Sequence, residues 1–294
     1  MNNNNDSFEV FIKLFDSQVQ PVVQYGAEIW GMDVCSDYCE KVHLFALKNF
    51  LGVSKRTPND FVYGELNRYP LFIFSVVKCL RYWLKLTRME EHRLPYKAYK
   101  MLFQLDSMGK RNWATKIKMK LYENGFGYVW LNQGVENVNG FISIFRQRLI
   151  DSRWQNWNSH IQDSKRFDLY RLFNPFHHIP LYISMNISKH LRHVLTKFRF
   201  GISNISSHHN RYLSNTNNDN ICPLCKLTDE NEIHFVLDCP ALKNVRNQYI
   251  PLKFSRHPCL FKLILLMSAT NENVVRTFAM YLRKAFDMRE TFLS

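Results

Sequence analysis

Apolar residues recur along this chain at spacings of three and four almost throughout, the pattern of amphipathic helices. Phe8, Phe11, Ile12, Phe15 and Val19 predict a helix that stops before Pro21. Val22 to Trp30, interrupted by Gly26 and Gly31, reads as a second, buried helix. Tyr38 to Leu51 is a third, with Val42, Phe45, Ala46, Asn49 and Phe50 expected inside and Gly52 as its stop. Pro58 suits the first position of a further helix. Leu71 to Thr87 is long and apolar, with Arg81, Lys85 and Arg88 near the end where they favour the helix dipole.

The middle is looser. Gly125, Gly127, Gly134 and Gly140 among asparagines predict a loop or internal boundary over 124–140. From Phe141 to about His160 the stripe Phe145, Leu149, Ile150, Trp154, Trp157 and Ile161 predicts a helix with aromatics in its core face. Phe167 to Ile183, rich in Pro, Phe and His, reads as a connector. Asn186 or Ser188 can cap a helix running to about Phe200, and 203–220 is polar and reads as a loop. Pro240 starts a short helix to Tyr249, and a last helix covers Glu272 to about Arg289. No alternation is long enough to build a sheet, so the expected class is mainly α.

Composition adds two points. The 294 residues are 46% hydrophobic and 15% aromatic, ample for a core. The formal charge is +14, an excess that points to a polyanionic partner, most often nucleic acid. No apolar run reaches the ~20 residues of a membrane helix. The Asn-rich start has neither the basic nor the apolar region of a signal peptide. Seven cysteines without framework spacing suit a reducing intracellular compartment, nuclear or cytoplasmic. Cys79, in an apolar run, reads as a small buried hydrophobe.

Candidate chemistry concentrates in Cys222-Pro-Leu-Cys225, His234 and Cys239, spaced C-x2-C-x8-H-x4-C. Three thiolates and an imidazole can close a tetrahedron around one Zn2+, leaving no position for water, so the site reads as structural. Ile233, Phe235, Val236 and Leu237 would pack this module onto the body. Cys35, Cys39 and His43 also recur every four residues, but with no fourth ligand nearby they read as an ordinary helix face. On the helix after Asn186, Ile187, Leu191, Val194, Leu195 and Phe198 make the expected inner stripe. Lys189, Arg192, His193, Lys197 and Arg199 are expected on the outer arc, with His208, His209 and Arg211 following. A second basic stretch comprises Lys110, Arg111, Lys116, Lys118 and Lys120, with Trp113, Ile117 and Leu121 on the opposite, buried face. Such cations bind phosphates without reading sequence, and salt weakens them. The alternative is a helical protein-interaction scaffold stapled by a purely structural zinc. No palm-type Asp pair, Gly-rich phosphate loop or Ser elbow is visible, so catalytic residues are not expected.

A set of phrases resembles the C-terminal part of non-LTR (LINE-type) retrotransposon reverse transcriptases. Leu14-Phe15-Asp16, Pro21-Val22-Val23, Tyr25-Gly26 and Glu28-Ile29-Trp30-Gly31 are similar to the thumb segment after the palm, as are Lys48 to Val53, Thr57-Pro58-Asn59, Gly64-Glu65-Leu66 and Tyr69-Pro70-Leu71. Tyr170 to Phe173, Leu191-Arg192, Lys197-Phe198-Arg199, Arg211-Tyr212 and the Cys/His module continue it, over about Phe8 to Tyr249. The resemblance implies a helical thumb-like bundle (8–123, with a connector), a basic helical region (141–215), a CCHC zinc knuckle-like module (216–250) and C-terminal helices (251–294). It implies binding of template–primer, element RNA or target DNA, with a polymerase palm supplied upstream or in trans. Fingers, palm and endonuclease are missing here, so polymerase or nuclease activity of this chain alone is not expected. A thumb without its palm would leave Leu14, Phe15 and Trp30 partly uncovered.

Overall fold

In the computed structural model the described residues are 7–33, 35–174, 178–210 and 220–293; the side chains of Cys35, Arg166, His209 and Asn210 lie outside the description. The α-helices of seven or more residues are α1 (Phe8–Leu14), α2 (Cys35–Leu51), α3 (Asn59–Leu66), α4 (Leu71–Thr87), α5 (Leu94–Ser107), α6 (Trp113–Glu123), α7 (Val138–Asp163), α8 (Lys189–Arg199), α9 (Lys243–Tyr249), α10 (Leu260–Met267) and α11 (Glu272–Leu293). Among the described residues there is no β-strand, only one isolated bridge between Ile221 and Asp229. The mainly α expectation therefore holds. No helix among these residues is long and apolar enough to cross a membrane.

The chain divides into two compact units. One comprises 15–45 and 69–157. Its core is apolar and aromatic: Val76, Leu80 and Trp83 of α4, Tyr99 of α5, Ile117 and Leu121 of α6, and Phe141 and Phe145 of α7. The Trp83 indole stacks on Trp130 at 5.7 Å and donates to the Tyr99 hydroxyl at 3.0 Å, so its one polar atom is satisfied where it is buried. Asn112 caps α6 by accepting from Ala114 N–H, and Thr115 returns the bond to Asn112 N–H, a capping box. Trp130 belongs to a short helix, Gly127–Leu131, inside the stretch expected to be a loop.

Two further expectations fail here. Pro21 does not stop the first helix. A π-helical turn, Phe15–Val19, follows α1, and a fresh α-helix, Gln20–Val23, begins with Pro21 in its first turn, where its missing N–H costs no bond. In α2, Val42, Phe45 and Asn49 are exposed, while Cys39, His43, Leu47 and Leu51 are buried together with the expected Phe50. Cys39 and His43 thus lie on the inner face. His43 Nδ1 lies 2.9 Å from one Glu40 oxygen, and the other accepts from Leu71 N–H at 2.6 Å, so the start of α4 holds the polar side of that helix inward. Of the residues expected to be partly uncovered, Leu14 is 56% exposed, but Phe15 is 3% exposed, with its ring 5.1 Å from His43.

The other unit comprises 1–14, 46–68 and 158–294. Its core joins aromatic rings to buried ions. Phe61 of α3 stacks on Phe200 at 4.6 Å and meets Phe167 and Tyr170. The segment expected to be a connector supplies core residues: Phe167, Tyr170, Phe173, Tyr182 and Ile183 are all buried. Gly52 ends α2 at φ +66°, where a Cβ would lie 2.0 Å from the His193 ring, so both backbone angle and space require glycine.

Candidate metal centre and basic surfaces

The metal-ligand spacing folds into a compact centre because two tight backbone devices face each other. In the first, Lys226 adopts φ +56°, Lys226 N–H donates to Cys222 O and Cys222 N–H donates to Thr228 O, both at 2.8 Å; this turns Cys222 and Cys225 toward one point. The second is a π-helical turn, His234–Asp238, closed by Cys239 N–H on His234 O at 2.6 Å. That five-residue bond returns Cys239 to the side of His234, as the spacing required. Cys222 Sγ and Cys239 Sγ are 3.9 Å apart, and Cys225 Sγ is 3.4 Å from His234 Nε2. The four donor atoms all lie within 4.8 Å of one another, a group that can hold a metal ion.

The second layer orients these donors. His234 Nδ1 is 3.1 Å from Thr228 Oγ1 and 3.7 Å from the Asp238 carboxylate, which leaves Nε2 to face the thiols. Burial and the neighbouring thiols push the Cys239 thiol up to about 12, and burial also raises Cys222. Burial raises Cys225 too, but bonds from the Leu227 amide, the Cys222 and Cys239 thiols and the Thr228 amide outweigh it, and its pKa is lowered. A bound cation supplies the charge needed to ionise such thiols.

Residues outside the expected ligand set fix the module to its unit. Buried Arg246 of α9 donates to Val236 O at 2.9 Å and to Cys239 O at 2.7 Å, satisfying carbonyls at the end of the π-turn. Tyr281 donates to Phe235 O at 2.6 Å, and Phe235 stacks on Phe286 at 4.9 Å. Glu230 receives two bonds of 2.8 Å from the Arg289 guanidinium and two more from Ser206. Burial works against that carboxylate, but these bonds win and lower its pKa. His208 is held between Ser203 Oγ at 2.7 Å and Glu232 at 3.1 Å. Phe235, Val236 and Leu237 are buried as expected.

The basic residues are placed less simply. Ser188 caps α8, accepting from Leu191 N–H. Lys189 and Lys197 are exposed, joined by His190, but Arg192 and Arg199 are not on the outer arc: they are 3% and 2% exposed. Arg199 forms a buried ion pair with Glu65 and donates to Met267 O at 2.8 Å. Tyr182 donates to the same carboxylate at 2.7 Å. Arg192 lies over the Phe50 ring at 4.3 Å. The charges are buried because partners distant in sequence meet them. His193 is neutral near pH 7: burial, then Lys189, Lys197 and Arg192, hold its pKa down at about 4. On α6, Ile117 and Leu121 are buried as expected, but the lysines are locally neutralised. Lys116 pairs with Asp33, Lys118 with Asp106 at 3.1 Å and Lys120 with Glu123 at 2.7 Å. Lys110 and Arg111 are exposed before that helix, and Arg211 lies outside the described residues.

No protein-family model, curated protein or solved structure matches this chain.

Proposed function

We propose that the chain is a nucleic-acid-binding module clamped by a structural Zn2+, corresponding to the C-terminal part of a LINE-type reverse transcriptase. The observation that carries the reading is the closed donor set of Cys222, Cys225, His234 and Cys239. For Zn–S near ~2.3 Å and Zn–N near ~2.0 Å, a tetrahedron has S–S and S–N edges of about 3.8 and 3.5 Å. The observed 3.9 and 3.4 Å fit those edges. All four corners are protein atoms, so zinc here folds the segment and does no hydrolysis.

The same unit exposes Lys189, His190 and Lys197 on α8, and the whole chain carries +14. These cations take up phosphates of RNA or DNA by counterion release. Metal analysis of folded protein is expected to give one zinc per chain, lost in Cys222→Ser. Filter binding of RNA and DNA is expected to weaken steeply with salt, and Lys189→Glu/Lys197→Glu to lower affinity and flatten the salt slope. Folded protein without zinc, or with no affinity for either polymer at low salt, overturns the reading. Exposed Val22, Tyr25 and Ile29, with Tyr38, Val42 and Phe45, favour a second reading, a helical scaffold contacting protein through an apolar face. It predicts negligible nucleic-acid affinity at moderate salt.

A further inference from the structure

Beside α8, the solvent face of α11 opens onto a cavity of about 280 Å3, which no motif pointed to. Leu191, Met280 and Tyr249 give it apolar and aromatic walls. Arg276, Arg283 and Lys284 give it three cations, against one acid, Asp287, whose carboxylate is 4.0 Å from Arg283. Arg276 is steadied by donating to Asn186 O at 3.1 Å. The three cations and Asp287 are exposed, and Tyr249, which lines the cavity, is partly so.

A flat apolar wall beside a positive rim meets a ligand that is flat and apolar in one part and anionic in the next. A nucleotide of a single strand has that chemistry. A duplex does not: its bases are stacked inside, and only its phosphates would reach the rim. We propose that this cavity takes one nucleotide of single-stranded RNA or DNA, with the base against Tyr249 and the flanking phosphates on Arg276, Arg283 and Lys284. The proposal rests on the nucleic-acid reading above and narrows it to a strand state and a place.

The test is fluorescence anisotropy of labelled single-stranded 12-mers and the matching duplex, at low and moderate salt, with zinc content checked for each variant. Stacking of one base contributes roughly 1–3 kcal/mol. Tyr249→Leu is therefore expected to weaken single-strand binding by roughly 5- to 150-fold and to leave the duplex within about twofold, with Tyr249→Phe close to the parent. Arg283→Glu/Lys284→Glu is expected to weaken single strands and flatten their salt slope. Photocross-linking of a 5-iodouracil strand to the unaltered chain is expected to label the peptide bearing Tyr249, a readout independent of variant folding. If the parent binds single strands but Tyr249→Leu leaves that affinity unchanged and the label falls elsewhere, the cavity assignment is wrong while the broader function stands. If the parent binds neither form, both fail together.

Discussion

The two units are stabilised in different ways. The unit of 15–45 and 69–157 rests on a continuous cluster of Trp, Phe, Leu, Ile and Val, with Trp83, Tyr99 and Gln133 as a small polar inset. The unit of 1–14, 46–68 and 158–294 has apolar rings too, but ties them with Glu65–Arg199, Glu230–Arg289, Arg246 and the Cys/His tetrad. Apolar burial is non-directional and tolerant of small shifts. Buried ions and metal ligands are directional, and losing one partner strands the other. The first unit should therefore respond to lost volume, and the second to lost charge, metal or proton balance.

The sharpest way to break this contrast is metal removal. Structural zinc contributes on the order of 10 kcal/mol or more in small isolated modules. Chelation is expected to abolish amide protection around His234–Leu237 and leave that of Ile117 and Leu121 in place. Equal loss in both units would end the distinction. Next comes Glu65→Ala, which leaves Arg199 buried without its carboxylate and is expected to cost about 3–5 kcal/mol by denaturant unfolding. The double change Glu65→Leu/Arg199→Met is expected to recover much of that; no recovery would mean the pair is not the source. For the other unit, Leu121→Ala is expected to cost about 2–5 kcal/mol through a cavity, with zinc retention unchanged. The smallest effect concerns His193. Its folded pKa of about 4 lies below the ordinary value of 6.5, so the unfolded chain binds more protons between them. Its contribution is complete above pH 6.5 and is lost as pH falls toward 4. His193→Gln is expected to flatten the stability–pH slope in that window, read from unfolding at fixed zinc; an unaltered slope would assign it to other groups.

What was legible in the sequence was local. The Leu71–Thr87 helix, the Ser188 cap and the start at Pro240 depend on residues within a few positions of one another, and the donor tetrad on residues within 17. What was not legible depended on distant partners. Arg192 and Arg199 carry the same charge as Lys189 and Lys197, and only a carboxylate 134 positions away decides that Arg199 turns inward. The rotation of α2 has the same origin, since the amide that meets Glu40 is 31 positions on. The buried Phe167, Tyr170, Phe173, Tyr182 and Ile183 were hidden by the Pro and His around them, because the helices Tyr170–Phe173 and Leu181–Ser184 are single turns too short to show a period. Arg199, and Tyr170 through Asn174, converge on the Glu65 carboxylate, joining segments more than 100 positions apart.

The seam between Arg289 and Glu230 has a consequence for biosynthesis. Every residue of the tetrad leaves the ribosome before Arg289 does, so the turn that carries Cys222 and Cys225 can form while Glu230 still faces water. The last helix then arrives as a lid, bringing Tyr281, Phe286 and Arg289 onto a loop already shaped. In that order the Arg289–Glu230 pair is the last of these contacts to form.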